Sequence, residues 1–346
     1  YYATAGYMYD NRYSINLSLR QDGSNRFGDD GKFLPVWSLG LRWNVTDEHW
    51  MQDQRLVNNL AFTASFGFQG NVAENVSPEL VTRLKAVNSK TGEYQMTWQQ
   101  LPNPDLKWES TGMLNVGIDY ALFNGRINGT IEVYNKKTKD LIWDYPVSTN
   151  IYPFGTIAAN VGKITNKGIE FSINATPVQT EDFTWNTTLN LSHNKNTVDK
   201  LSNDKYQVGT FTQGDPMVAG VSSNGYTQRI IEGEALGTFY TYEFAGYKDG
   251  KATYYVRDEK TGERTGETTS EPAFKDRTIT GCAQPKLNLG WNNSFNYKNW
   301  NATIFITGVF GNKIYNGARA NYTSPEMFAN GKNVLKEFIT DRPATD

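Results

Sequence analysis

Tyr13, Ile15, Leu17 and Leu19 fall on one side of a period-two pattern, and Ser14, Asn16, Ser18 and Arg20 fall on the other. Such alternation predicts a β-strand with one apolar and one polar face. It recurs along the chain. Trp37, Leu39, Leu41, Trp43 and Val45 oppose Ser38, Gly40, Arg42 and Asn44, and Leu60, Phe62, Ala64, Phe66 and Phe68 oppose Ala61, Thr63, Ser65 and Gly67. Leu114, Val116, Ile118, Tyr120 and Leu122 lead to a turn at Asn124–Gly125, a pair that tolerates the positive φ a hairpin requires. Ile127, Ile131 and Val133 follow, then Ile169, Phe171 and Ile173, then Trp185, Leu189 and Leu191. Near the end, Leu287, Leu289, Trp291, Phe295 and Tyr297 reach the turn YKNW, and Ile304, Ile306 and Phe310 leave it. The pattern predicts on the order of ten strands of about nine to twelve residues, the length of a tilted strand that crosses a bilayer rather than the five or six usual in soluble sheets.

The connections sort by length. Tight turns at YDNRYS, FNGR, PVQTEDF and YKNW alternate with long polar segments at 21–32, 69–105, 143–160 and about 200–285. A membrane barrel has short turns at one end and long loops at the other. The polar faces are mainly Asn, Ser, Thr and Gly, which suits an enclosed wet interior. Tyr120 and Phe123 flank one turn, Tyr297 and Trp300 another, and Trp43 and Trp50 lie near a strand end, as in interfacial girdles. The expected fold is therefore all-β, a transmembrane antiparallel barrel, with Tyr13, Ile15, Leu17 and Leu19 facing lipid, Asn16 and Ser18 facing the lumen, and 21–32 outside the cell. The alternative is a soluble β-sandwich or lectin-like domain with these aromatics in its core.

Composition narrows the function. Aromatic residues make up 14% of the 346, with 20 Tyr and 31 Gly, a mix that favours strands and turns. Mean hydropathy is −0.59, and no apolar run approaches the ~18–20 residues of a spanning helix. A net charge of −2 with scattered acids and bases offers nucleic acid no basic stripe. Cys282 is the sole cysteine, so it forms no internal disulfide and supplies no zinc site. Gly-Lys in NVGKITNKG has Ile164 where a phosphate-binding loop needs a hydroxyl. His49 and His193 lack partners at metal-ligand spacing. No enzyme or cofactor is expected.

Seven stretches, which include INLSLRQDGSNRFG, FLPVWSLGLRWNV, one that runs from NPDLKWE to YNKKTKDLI, and one that opens on NVGKITNKGIE, together resemble in order the barrel of the SusC/RagA family of TonB-dependent outer-membrane transporters. The resemblance covers most of the chain apart from its long loops. It implies a plugged barrel of about 22 strands in a Gram-negative outer membrane. It further implies import of oligosaccharides or peptides beneath a SusD-like surface lipoprotein, energised by a TonB–ExbB–ExbD complex. Against that expectation, residues 1–346 account for roughly half of the strands, without plug, amino-terminal extension or closing strands, so a piece of a longer polypeptide is expected. Residues 200–285 hold two strand-like stretches, GTFYTYEFAGY and KATYYVR, which either span or form a hairpin in an outer loop.

Ligand or lid contacts are expected from aromatics of the long loops: Trp98 before NPDLKWE, and Trp143, Tyr145, Tyr152 and Phe154 after TKDLI. Asp276 and Arg277 of KDRTITG are expected to form an ion pair or to brace a loop rather than to recognise substrate. A passive porin and a soluble carbohydrate-binding β protein are the competing functions.

Overall fold

The computed structural model describes residues 1–28, 31–72, 79, 81–87, 90–100, 102–148, 150, 155–203, 227–249, 251–322, 331 and 333–336. In chain order the strands are β1 (Tyr2–Tyr9), β2 (Tyr13–Gly23), β3 (Phe33–Asn44), β4 (Val57–Asn71), β5 (Val81–Val87), β6 (Tyr94–Gln100), β7 (Glu109–Leu122), β8 (Ile127–Pro146), β9 (Thr156–Gln179), β10 (Phe183–Lys200), β11 (Gln228–Arg229), β12 (Thr238–Tyr242), β13 (Phe244–Lys248), β14 (Lys251–Arg257), β15 (Arg264–Thr269), β16 (Arg277–Cys282), β17 (Leu287–Tyr297) and β18 (Trp300–Phe310). Ten of them form one antiparallel sheet in the order β1-β2-β3-β4-β7-β8-β9-β10-β17-β18. It belongs to the first of two units, residues 1–211 with 286–310; the second is 212–285 with 311–346.

Tight turns follow from local chemistry. Asp10 and Asn11 both take positive φ, 50° and 54°, and Arg12 N–H closes on Tyr9 C=O at 3.0 Å. The Asn124–Gly125 turn has φ of 57° and 78°. At the same end, residues 45–56 hold two short 3₁₀ turns, Val45–Asp47 and His49–Met51, so the alternating run expected to reach Val45 ends at Asn44. Strand lengths also depart. β8, β9 and β10 run for 20, 24 and 18 residues, well past what a bilayer requires.

The apolar face is uncovered. Ile15, Leu17, Leu41, Val116, Val133 and Ile169 are 37–46% exposed, where a sandwich would bury them against a second sheet. Cross-strand partners share a face, so the register traces this surface strand by strand. Leu17 pairs with Leu39, Leu39 with Phe66, Phe66 with Leu114, and Leu114 with Asn135, which pairs with Lys167. The row begins in grease and ends in charge. Counting from the tight turns, the continuous outward apolar run ends at Phe68 on β4, Leu114 on β7, Val133 on β8, Ile169 on β9 and Leu191 on β10. Across these four strand steps, about 19 Å, the boundary falls by three register rows, about 20 Å. That slope, roughly 45°, is the tilt of strands in a membrane barrel. An apolar belt level with a bilayer must cut tilted strands diagonally.

Aromatic rings mark both borders. Toward the long loops, Trp37 lies 5.6 Å from Phe66, and Phe66 lies 5.2 Å from Phe68. Toward the tight turns, Trp43 stacks on Phe62 at 5.8 Å and Trp185 on Phe295 at 5.9 Å. The opposite face is polar. Arg42 pairs with Asp119 at 2.6 Å, Asn115 donates to Ser65 at 3.3 Å, and Asn196 and Asn194 both donate to Asn166.

Residues 228–282 add no strand to this sheet. Within the second unit, β11-β12-β16 and β13-β14-β15 form two three-stranded sheets. The stretches GTFYTYEFAGY and KATYYVR therefore lie outside the ten-stranded sheet, and the tight turns keep to one end. Asp276 braces this unit by accepting N–H bonds from Arg257 at 2.9 Å and Ala273 at 2.8 Å. Burial pushes its carboxyl up, but these N–H groups and Lys275 outweigh it and hold the group below the usual carboxylate range. The Arg277 guanidinium lies over Tyr242, 4.9 Å from the ring centroid.

Two outcomes test this reading of the faces. Leu17→Arg should cost about 2–4 kcal/mol in unfolding experiments on the bilayer-embedded protein, and Asn16→Lys far less. Leu114→Arg should likewise cost far more than Asn135→Arg, although the two residues are register partners, because the boundary passes between them. A third concerns Glu48, at the tight-turn end, which accepts bonds from Tyr13 O–H, from Trp43 Nε1 at 3.0 Å and from Arg12 Nη1 at 3.0 Å. The Tyr13 bond, then Trp43 and Arg12, hold its carboxyl below the ordinary range. A depressed pKa stabilises the fold above the unfolded value of about 4.3, and that contribution is lost as pH falls through the folded value. Trp43 fluorescence should report loosening of 45–56 in that acid window, and Glu48→Gln should abolish the step.

Candidate functional site at the long-loop end

Three segments far apart in sequence meet at one node: NPDLKWE (103–109), YNKKTKDLI (134–142) and NVGKITNKGIE (160–170). Asn103 is buried, and its Nδ2 donates to Ala158 C=O at 2.7 Å. Its Oδ1 takes the Asp105 N–H at 3.2 Å, a side-chain-capped turn of the kind Asn favours. Leu106, 1% exposed, then drops into a small cluster with Phe27 and Ala158, against which Val72, Trp108 and Ile142 pack. Asn160 is the hub. Its Oδ1 accepts Lys107 N–H at 3.0 Å, while its Nδ2 donates to Lys107 C=O and Asp140 C=O, each at 2.8 Å. Lys107 also pairs with Asp140 at 3.0 Å, and Glu109 accepts the Ile142 N–H at 2.9 Å and Asn71 Nδ2 at 2.8 Å.

The preceding loop closes over this node. Phe27 lies 5.3 Å from Trp108, whose Nε1 donates to Lys32 C=O at 3.4 Å. Gly28 and Gly31 are required here, because a Cβ would sit 2.6 Å from Pro104 O and 2.8 Å from Leu106 O respectively. The node thus pins two long loops onto the inner side of β8 and β9 with buried amides rather than a large core. Its parts are structural. Polar inner-wall groups lie lower on the same strands, including Glu132 directly opposite Glu170.

Of the sequence-predicted aromatics, Trp143 pairs in register with Ala159 and Tyr145 with Ile157, both half-buried. Alternation sets them on the strand face opposite Ile142 and Ala158, which belong to the cluster just described. The structure does not place them in that cluster. Trp98 lies in β6, opposite Thr82, in a hairpin rather than an irregular loop. Tyr152 and Phe154 lie outside the described residues. Asn103 and Asn160 escaped the sequence reading, since a lone Asn signals only a turn or a wet face. The one available signal was their position at the head of two recurrent motifs.

Replacing Asn160 by Leu leaves three backbone groups of Lys107 and Asp140 without their partner, at a cost of about 1–3 kcal/mol for each buried group that stays unsatisfied. Limited proteolysis should then cut within 72–108 while the ten-stranded sheet stays intact by circular dichroism.

Residues 1–334 match the family model described as TonB dependent receptor-like, beta-barrel. TonB-dependent receptor P3 of Formosa agariphila is 30% identical over 98% of this chain and 34% of its own length. TonB-dependent receptor SusC of Bacteroides thetaiotaomicron is 28% identical over 95% of this chain and 33% of its own. The structure of the RagAB peptide transporter shares the fold, with a TM-score of 0.78 and 22% identity over 93% of this chain and 34% of that one. The chain spans about a third of the length of these relatives, which are receptors and transporters rather than enzymes. The strand order, the diagonal lipid belt and these matches agree: the chain belongs to the TonB dependent receptor-like β-barrel family of Gram-negative outer membranes.

Proposed function

We propose that this segment is part of the wall and mouth of a receptor that imports a nutrient oligomer, an oligosaccharide or a peptide, using energy delivered through TonB, ExbB and ExbD. The observation that carries the reading is a single sheet with a lipid-facing outer side, a polar inner side and loops pinned over one end. Pinned loops suit a binding mouth, because cargo then pays little ordering entropy. A SusD-like lipoprotein closes that mouth in this proposal. Trp143 and Tyr145, on the face away from the inner cluster, suit contact with such a lid, and Trp98, Tyr152 and Phe154 are the companion candidates for cargo or lid.

Uptake of labelled oligosaccharide and peptide pools by cells carrying the full-length gene tests the proposal. Accumulation that stops when the proton gradient is collapsed, or when the lid gene is deleted, is the expected result. Uptake that continues without the gradient would assign a passive porin instead.

A further inference from the structure

The outer wall of β8, β9 and β10 carries a recess of about 460 Å³ lined by Lys137, Lys139, Lys163, Lys167 and Lys195, with Thr165 between them. All five lysines are exposed. Their register puts them on the lipid-facing side, in line with Leu114 and Phe66. Lys167 stands directly opposite Lys195, and Lys163 directly opposite Lys200. Like charges facing each other across a ladder destabilise it. None of the five has a carboxylate within ion-pair distance among the described residues: Asp140 is taken by Lys107, and Asp199, which shares the recess, is bonded by Thr165 Oγ1 at 2.5 Å. His193, exposed one row below Lys195, has its Nδ1 against Lys286 C=O. Such a cluster attracts an anionic partner.

Its height identifies the source. Lys167 lies two residues above Ile169, where the outward apolar run of β9 ends, so about 7 Å along the strand and about 5 Å along the membrane normal. The headgroup layer occupies the ~5–7 Å outside the hydrocarbon core. One row above the border, β2, β3 and β4 carry the uncharged Gln21, Pro35 and Gly70, so the lysines do not form a general collar. We propose that this patch binds the phosphate groups of an outer-leaflet lipid, with Lys167 and Lys195 sharing one phosphate across the ladder and Lys137 flanking it. Bound phosphate relieves the repulsion of the paired lysines, and the acyl chains of the same lipid lie against Val133 and Ile169 below.

The test uses the full-length receptor in detergent, observed by native mass spectrometry with bisphosphorylated lipid A, its dephosphorylated form, or inorganic phosphate added. Wild type should retain the bisphosphorylated lipid in preference to the other two. The double variant Lys167→Gln/Lys195→Gln should lose about thirtyfold in that affinity, as removal of two headgroup-level cations implies. Lys167→Arg/Lys195→Arg should keep it. Heat-modified gel mobility, which reports the closed barrel, verifies that each variant is folded, and a neutral exchange confined to one side, Lys167→Gln alone, supplies an intermediate affinity if the double variant fails to fold. Equal retention of phosphorylated and dephosphorylated lipid, equal retention by wild type and the Gln variants, or a Gln variant that keeps the lipid but loses its lid protein would overturn the proposal.

Discussion

Hydrocarbon offers no hydrogen-bond partner to a peptide group, and the ten-stranded ladder is the response to that one constraint. Each central strand is paired on both sides, so backbone polarity is spent within the sheet. Side chains are then free to sort by face. The outward residues solvate in lipid without packing against another layer, which explains why Ile15, Leu41 and Val133 remain open while fully buried apolar residues are few. Folding energy comes from the ladder and the belt together, not from a central core.

Tilt converts this simple alternation into a positional code. A strand that crosses at roughly 45° meets the membrane border at a different register row from its neighbour. Apolar and charged residues can therefore be register partners, as Leu114 and Asn135 lead into Lys167. The same geometry makes β8, β9 and β10 project beyond the belt, where their outer faces turn basic and their inner faces accept the loops. Two functions thus share three strands on opposite sides.

At the projecting end, buried amides take over the role that grease plays in a soluble domain. Asn160 answers three backbone groups at once, and Asn103 answers a fourth. Such a node is directional: it holds a loop in one place where an apolar contact would permit sliding. A loop end held this way can present binding groups without a rigid domain beneath it. The second unit uses a related device, with the Asp276 carboxylate bridging two backbone N–H groups.

Period-two patterning in the chain determined the strands, their faces and the turns, because side-chain direction in a strand depends only on parity and each tight turn carries its own φ-permissive residues. The recurrent motifs, read as sequence, also pointed to the family. What parity could not reveal is the relation between strands: where the lipid border crosses each one, that 228–282 stays out of the sheet, that Trp98 sits in a hairpin, and that Trp143 faces away from the loop cluster. These depend on register, which is set by pairing between residues distant in the chain, and on bulges such as that between Thr138 and Leu141 that shift the faces of β8 above the belt. The meeting of NPDLKWE with Asn160, and of Lys167 with Lys195, is likewise a product of pairing, so only the tertiary structure could decide that one group of residues is a staple and the other a cationic recess.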